Sequence, residues 1–165
     1  MSARLLRDCT TRDATDVCGI YNHYVEQSTV TFEETRVSPD EMTRRITDVT
    51  NRLPWLVWEE RGTVLGYAYA ALWKARSAYR HSVETTIYLN PTATGKGVGT
   101  VLYQALLDRL RPLNIHCAVG IIALPNAASV ALHEKLGFAK IGELSEIGLK
   151  FGQWINVGYW QLRLR

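Results

Sequence analysis

Residues 94–100, with the sequence TGKGVGT, form a glycine-rich segment that could bind an anion. The segment lies between a predicted strand and a predicted helix, where backbone N–H groups and the positive end of the helix dipole attract phosphate. Its three alternate glycines let the backbone approach such a group closely. It is not a P-loop, because Lys96 is not followed by Ser or Thr, and its GxGxG spacing differs from the dinucleotide-binding GxGxxG pattern. A glycine-rich turn that binds no ligand is the alternative interpretation.

Glu84 is the candidate general base. It is the one charged residue of the predicted strand 82–89, where burial would raise the pKa of its carboxyl group toward a value useful for proton transfer. Strand alternation places Glu84, Thr86 and Tyr88 on one face and Thr85, Ile87 and Leu89 on the other. The alternative is an exposed glutamate on an edge strand, which is a common structural feature.

The elements that must position these residues follow from hydrophobic periodicity and cap signals. We predict strands at 4–7, 55–59, 64–73, 82–89, 117–124, 138–147 and 154–164, and helices at 14–25, 38–51, 99–110 and 126–137. Ser38, Pro39 and Glu41 form a helix start with a capping box, and Asn126 and Gly137 mark the two ends of the last helix. This order predicts a mixed sheet with helices on its faces, of the α/β or α+β class, rather than a doubly wound parallel sheet.

The composition is that of a globular protein, with 47% apolar and 21% charged residues in a chain of 165, the size of one domain. The net charge of +3 is spread along the sequence and does not indicate a nucleic-acid partner. Cys9, Cys18 and Cys117 lack CxxC spacing, so neither a disulfide framework nor a zinc site is indicated. Neither a signal-peptide apolar region nor an apolar run of membrane-spanning length is present. We therefore expect a cytoplasmic protein without a membrane segment.

Four segments together resemble one family. The glycine-rich segment is similar to the coenzyme A pyrophosphate loop of the GNAT superfamily, Q/R-x-x-G-x-G/A after the fourth strand, with Thr94, Gly97 and Gly99 at the pattern positions and Thr94 replacing the usual Gln or Arg. The segments VETTIYL at 83–89, LHEKLGF at 132–138 and KFGQW at 150–154 resemble phosphinothricin acetyltransferases and their methionine sulfoximine-acetylating relatives. Because the resemblance spans nearly the whole chain, it implies one GNAT domain over residues 1–165, a mixed central sheet flanked by helices.

The resemblance implies acetyl-CoA as cosubstrate, without a metal. Pairing of the fourth strand with the pantetheine arm and binding of the pyrophosphate by the glycine loop imply cofactor contacts at Ile87, Tyr88, Leu89, Gly95, Lys96, Gly97, Val98, Gly99 and Thr100. Asn126 resembles a cofactor-contacting asparagine of the family, and Lys135 either reaches a phosphate or is a solvated surface charge. His133 occupies the position where many members have a tyrosine that protonates the leaving thiolate. Histidine can do this work, or it can lie on the helix without a catalytic role.

The acceptor side is also implied by resemblance. Residues 73–76 are similar to a segment that holds the substrate carboxylate in this family, which assigns that role to Lys74 and Arg76, although arginine is more usual at position 74. A solvated basic loop is the alternative. Phe32, in the predicted loop 27–37, either forms an apolar wall of the acceptor pocket or is a core aromatic residue, and Thr86 shares the face of Glu84. Relatives form dimers, so we expect a homodimer.

Three functions fit these observations. The first is an enzyme that acetylates the α-amino group of a small amino acid analogue such as phosphinothricin or methionine sulfoximine. The second keeps the reaction but changes the acceptor to an amine without a carboxylate or to a protein N-terminus. The third is an acyl-CoA-binding sensor that does not turn over, which the presence of both Glu84 and His133 disfavours.

Overall fold

The computed structural model describes residues 4–165, and its strands and helices follow the order that the sequence predicts. The strands are β1 (Arg4–Asp8), β2 (Trp55–Glu60), β3 (Thr63–Leu72), β4 (Ser82–Leu89), β5 (Cys117–Leu124), β6 (Ala139–Lys150) and β7 (Gln153–Arg163). The helices are α1 (Ala14–Gln27), α2 (Pro39–Thr50), α3 (Val98–Leu110) and α4 (Ala127–Lys135). Short 3₁₀ turns at 11–13, 77–79, 91–93 and 111–113 were not predicted.

The strands form one mixed sheet in the order β1-β2-β3-β4-β5-β7-β6. All neighbours are antiparallel except β4 and β5, which are parallel and pair at only three positions. The last of these pairs joins Glu84 to Val119, and beyond it the two strands are not paired with each other. The mixed α/β (α+β) fold is therefore confirmed, and the sheet opens at Glu84.

Two apolar cores lie on opposite faces of the sheet. α1 and α2 cover one face, where Tyr67 is buried, and α3 and α4 cover the other, where Leu106 and Trp160 are buried. Burying a leucine side chain fully stabilises the fold by about 1.5–3 kcal/mol relative to leaving it exposed. The alternation predicted for β4 is confirmed, because Val83 belongs to the α3 core and Tyr88 packs against the α1 core.

The predicted start of α2 is confirmed in part. Pro39 is the first helical residue, and Ser38 Oγ accepts a hydrogen bond of 3.1 Å from the backbone N–H of Glu41. The predicted capping box is wrong in its second half, because the Glu41 carboxylate accepts hydrogen bonds from Arg44 and Arg45 instead. Ion pairs one turn along the helix compete with the return bond to the cap.

The two ends of α4 follow the predicted signals. Asn126 Oδ1 accepts a hydrogen bond of 3.1 Å from the Ser129 N–H, and Gly137 has a φ of 92°, in the left-handed region favoured by glycine after a helix. Local sequence therefore fixes the position of the helix that carries His133.

The β6–β7 hairpin is longer than predicted. β6 continues to Lys150 instead of ending at residue 147, and its register with β7 shifts between Leu144 and Gly148. The bulge, where Glu146 has a φ of 50°, interrupts the alternation on which the prediction depended. Gly148 lies against the ring of Phe32, and a Cβ there would overlap that ring.

Within residues 4–165, no helix combines the length and the apolar character needed to cross a bilayer. The same part of the chain contains no group of three or more His, Cys, Asp or Glu side chains placed to bind a metal ion. Cys9, Cys18 and Cys117 are buried free thiols.

Candidate active site

A cleft of about 970 Å³ opens where β4 and β5 separate. Its walls come from these two strands, from α1 and the loop after it, from the glycine-rich loop before α3, from α4, and from residues of β3, β6 and β7. The cleft brings together most of the predicted site residues: Phe32, Glu84, Thr86, Ile87, Tyr88, Leu89, Gly95, Gly97, Gly99, Thr100, Asn126, His133 and Lys135. The candidate base and the candidate anion-binding loop therefore face one space.

Four predicted site residues do not line this cleft. Lys96 is exposed on the glycine-rich loop, and the Val98 side chain is buried. Lys74 is exposed, with its Nζ 4.9 Å from the centre of the Trp73 ring, and Arg76 is exposed just before the turn at 77–79. The two basic side chains thus lie on a loop outside the cleft wall, and a carboxylate clamp is not preformed.

Glu84 is the one carboxylate that lines the cleft among residues 4–165. It is half-buried, at the last position where β4 pairs with β5, between Ala71 of β3 and Val119 of β5. Burial raises the pKa of its carboxyl group above the ordinary value, and the positive charge of Lys74 opposes this shift. A carboxylate in this environment can accept a proton from a group bound in the cleft.

Two glycines shape the anion-binding loop. Gly95 and Gly97 have φ values of 72° and 80°, which glycine adopts without strain. Gly97 is the N-cap of α3, so the N–H groups of the first helical turn have no acceptor within the helix. A Cβ at either glycine would meet no atom within 4 Å, so the protein leaves open space beside this turn. A helix N-terminus of this kind attracts a phosphate group.

Lys135 and Asn126 bring α4 to the same end of the cleft. Lys135 Nζ lies 3.5 Å from Thr100 Oγ1, beside the first turn of α3, where its charge would favour a bound anion. Asn126 lines the cleft while its Oδ1 caps α4, so capping and a ligand contact are compatible. The Thr94 hydroxyl, at the pattern position that departs from the family, donates a hydrogen bond of 2.8 Å to the carbonyl of Pro91.

His133 is 4% exposed, and both of its ring nitrogens are hydrogen-bonded. Nδ1 lies 2.7 Å from the Ser129 carbonyl oxygen, which can only accept, so Nδ1 carries the proton. In the neutral imidazole Nε2 then accepts from the Tyr103 hydroxyl at 3.0 Å, and Tyr103 accepts from Thr85 Oγ1 at 2.6 Å. Burial lowers the pKa of His133 and so favours the neutral imidazole, whereas the hydrogen bond to the Ser129 carbonyl opposes this shift. The ring lines the cleft but has no proton free to donate in this arrangement.

Four tyrosines that were not predicted as site residues also line the cleft: Tyr21, Tyr24, Tyr69 and Tyr159. The Tyr24 hydroxyl donates a hydrogen bond of 2.5 Å to the carbonyl of Leu89, at the end of β4. Tyr21 and Tyr24 recur at helical spacing, which indicated only the apolar face of α1. Their hydroxyl groups were the one available signal, because a buried tyrosine needs a polar partner.

Comparison with known proteins gives the class of this chain. The model of the acetyltransferase (GNAT) domain family matches residues 6–157. The chain is 42% identical over 156 residues to phosphinothricin N-acetyltransferase from Streptomyces viridochromogenes, covering 94% of this chain and 85% of that protein. It is 35% identical over 176 aligned positions to L-methionine sulfoximine/L-methionine sulfone acetyltransferase from Pseudomonas aeruginosa, covering 99% and 96% of the two chains. The chain belongs to the GNAT acetyltransferase family. Within it, the chain is an N-acetyltransferase.

Two solved structures agree with this assignment. The Salmonella typhimurium protein yncA, solved with its cofactor acetyl-CoA, superposes with a TM-score of 0.96 at 33% identity, over 99% of this chain and 95% of that one. A phosphinothricin acetyltransferase from Sinorhizobium meliloti, solved in complex with acetyl-CoA, gives a TM-score of 0.94 at 37% identity, over 97% and 88%.

Proposed function

We propose that this enzyme transfers the acetyl group of acetyl-CoA to the α-amino group of a small amino acid of the phosphinothricin or methionine sulfoximine type. The observation that carries the proposal is the position of Glu84, the one cleft carboxylate among the described residues, where β4 and β5 separate. The named activities of relatives at 42% and 35% identity support this acceptor class. Acetyl-CoA in two similar structures supports the cosubstrate.

The glycine-rich loop is proposed to hold the pyrophosphate of acetyl-CoA. The first-turn N–H groups of α3 supply hydrogen-bond donors, and Lys135 supplies a positive charge beside Thr100. The edge of β4 beyond Glu84, which is not paired with β5, offers main-chain groups to the pantetheine arm in the way that a sheet edge binds an added strand. Asn126 approaches from α4, on the other side of the cleft.

In the proposed reaction Glu84 takes a proton from the acceptor ammonium group, directly or through water. The free amine then attacks the thioester carbonyl carbon and forms the C–N bond, and the nitrogen loses its second proton to water. An N–H group of the β4 edge stabilises the oxyanion, and the C–S bond breaks to release the coenzyme A thiolate without a covalent enzyme intermediate. His133 stays the proposed donor to the thiolate. It must first gain a proton at Nε2, which now accepts from Tyr103.

Lys74 and Arg76 are proposed to bind the acceptor carboxylate. The charge of Lys74 acts on the Glu84 carboxyl group, and an arginine can pair with a carboxylate through two parallel hydrogen bonds. Because both side chains lie outside the cleft wall, their loop would have to approach the acceptor when it binds. Phe32 and Thr86, which do line the cleft, would contact the rest of the acceptor.

Release of free thiol from acetyl-CoA, measured with a panel of amines, tests the proposal. We expect turnover with phosphinothricin, methionine sulfoximine or methionine sulfone, and much less with their decarboxylated forms. Turnover restricted to amines without a carboxylate, or to peptide N-termini, would instead favour the other acceptor class. Saturable acetyl-CoA binding without turnover of any amine would identify a sensor and overturn the proposal.

We also propose that the enzyme is a cytoplasmic homodimer that associates through the β6–β7 hairpin. Leu149 and Trp154 are register partners on this hairpin and are 52% and 62% exposed, and Ile147 and Phe151 beside them are also exposed. A cluster of exposed apolar side chains indicates an interaction surface. The three free thiols suit a reducing compartment. Sedimentation should show a dimer, and Trp154→Glu should shift it toward the monomer; a monomeric parent enzyme would contradict the proposal.

A further inference from the structure

Lys150 is a buried lysine that the proposed chemistry does not use. It lies at the end of β6 and is 1% exposed. Its Nζ donates hydrogen bonds to the carbonyl oxygens of Ser28 and Thr31, each at 2.8 Å. Both acceptors belong to the loop between α1 and α2 that carries Phe32, so the ammonium group links this loop to the β6–β7 hairpin.

The surroundings of Lys150 compensate for the cost of burying its ammonium group. Ser28 is the C-cap of α1, where the negative end of the helix dipole favours a cation. Nζ also lies 5.0 Å from the centre of the Phe151 ring, within the range of a cation–π contact. Burial lowers the pKa of Lys150, and the charge of Glu34 opposes that shift. Because both acceptors of Lys150 are main-chain carbonyl groups, its two hydrogen bonds hold the backbone of the loop.

The same loop is tied to the helices on its other side. The hydroxyl groups of Tyr21 and Thr31 are hydrogen-bonded at 2.7 Å, and Arg45 of α2 donates to both carboxylate oxygens of Glu33, at 2.7 and 2.9 Å. These contacts fix the loop to α1 and α2. The bonds from Lys150 add the attachment to the hairpin, so the loop is held from two directions.

This attachment fixes the position of one wall of the cleft. Phe32 directly follows Thr31, and its ring packs on Gly148, two residues before Lys150. Thr31, Phe32 and Ile147 all line the cleft. The position of the loop relative to the hairpin therefore determines the shape of the cleft at Phe32.

We propose that Lys150 is a positioning residue for the acceptor, because it holds the Phe32 wall in place by fixing residues 28–32 against the β6–β7 hairpin. This inference rests on the proposed function, which assigns Phe32 to the acceptor side. The two partners of Lys150 belong neither to the glycine-rich loop nor to β4, the elements proposed to bind acetyl-CoA. Loss of Lys150 is therefore expected to weaken acceptor binding and to spare acetyl-CoA binding.

The test compares Lys150→Met with Lys140→Met. Methionine at position 150 keeps an unbranched stem but removes the charge and the N–H donors. Lys140 lies on the same strand, is exposed, and bonds to Glu143, so Lys140→Met makes the same chemical change away from the loop. The measurements are acceptor KM and kcat, the Kd of acetyl-CoA by calorimetry, and hydrogen exchange of the amides at 28–37.

For Lys150→Met we expect acceptor KM to rise at least about tenfold, because two charge-assisted hydrogen bonds are lost from the loop. We expect kcat to change by less than about threefold, since the base is untouched. The Kd of acetyl-CoA should not change, and the loop amides should exchange faster. The Lys140→Met protein should match the parent in every measurement.

A folded Lys150→Met protein with the acceptor KM of the parent overturns the inference, even if the loop exchanges faster. Equal losses of kcat and acetyl-CoA affinity also overturn it, because they show general damage. If Lys150→Met does not fold, Lys150→Gln, which keeps N–H donors on a shorter stem, is judged by the same criteria. If the parent acetylates no amine, the proposed function fails, and hydrogen exchange still tests the attachment on its own: faster loop exchange in Lys150→Met supports the statement that Lys150 holds residues 28–32, and unchanged exchange overturns it.

Discussion

Replacing Glu84 by glutamine removes the one carboxylate that lines the cleft in the described chain while keeping its size. If Glu84 is the base, kcat should fall about 10²–10⁴-fold at neutral pH, the usual range for a general base. This corresponds to about 2.7–5.5 kcal/mol of activation free energy. The loss should shrink as the pH rises, because the amine then reaches the cleft already deprotonated.

The same substitution should lower kcat but raise the stability of the fold. Burial raises the pKa of Glu84 in the folded state, so the stability that this group contributes is present in full below its unfolded pKa and is lost as the pH rises through the folded value. At neutral pH the ionised carboxylate therefore opposes folding, and Glu84→Gln should raise Tm. A fall in kcat together with a rise in Tm separates a chemical role from damage to the fold.

Thiol-release kinetics from pH 5 to 10 and thermal unfolding at pH 7 make the test. In Glu84→Gln a rise at higher pH, set by deprotonation of the free amine, should replace the acid limb of the parent kcat profile. In Lys74→Met the acid limb should move to higher pH, because the charge that opposes the pKa shift of Glu84 is gone. Parent-like turnover and an unchanged acid limb in Glu84→Gln would refute the assignment of the base.

Three further predictions concern the other parts of the site. Gly97→Val should weaken acetyl-CoA binding measured by calorimetry. Gly62→Val should not, although Gly62 lies at a turn with nearly the same φ (79° against 80°) and equally open space. Equal affinity of the Gly97→Val protein and the parent for acetyl-CoA would exclude the loop as the pyrophosphate site. Arg76→Ala should lower kcat/KM for the best amino acid at least about tenfold, with little further effect on its decarboxylated form, whereas Arg80→Ala, on the same loop, should not; losses that simply add would show that Arg76 does not bind the carboxylate. His133→Gln, which can keep an acceptor for Tyr103 and a donor for Ser129, should lower kcat by about 10²-fold if His133 protonates the thiolate, and a kcat near that of the parent would assign the proton to another source.

The elements of this fold could be predicted where local chemistry decides them. Ser38, Asn126 and Gly137 each act within one helical turn, so the ends of α2 and α4 are readable from neighbouring residues. The glycine-rich loop was equally visible, because positive φ at Gly95 and Gly97 is a property of the residue type. The residues that the cleft brings together from distant segments were predicted as one site only where the family resemblance indicated it.

Other features depend on tertiary packing and could not be predicted from the sequence. The burial of Lys150 requires two carbonyl oxygens that are 119 and 122 residues away in the chain. The bulge in β6 follows from pairing with β7 and has no local signal. The bonding of His133 depends on Tyr103, which the hydrophobic pattern of α3 gave no reason to select. The exposed loop of Lys74 and Arg76 has no periodicity to show which way its side chains point.

Because β4 and β5 pair at only three positions, the sheet consists of two halves, β1–β4 and β5–β7, joined by three residue pairs. Three pairs resist separation weakly, and the apolar core that joins Val83 and Leu106 to Ala118 and Trp160 adds to the cohesion between the halves. A ligand that contacts both β4 and α4 binds only the folded state. Such binding raises the free energy of unfolding by about 2.7 kcal/mol when the ligand concentration is about 100 times Kd. The acetyl donor would then slow proteolysis of the protein as well as serve as its substrate.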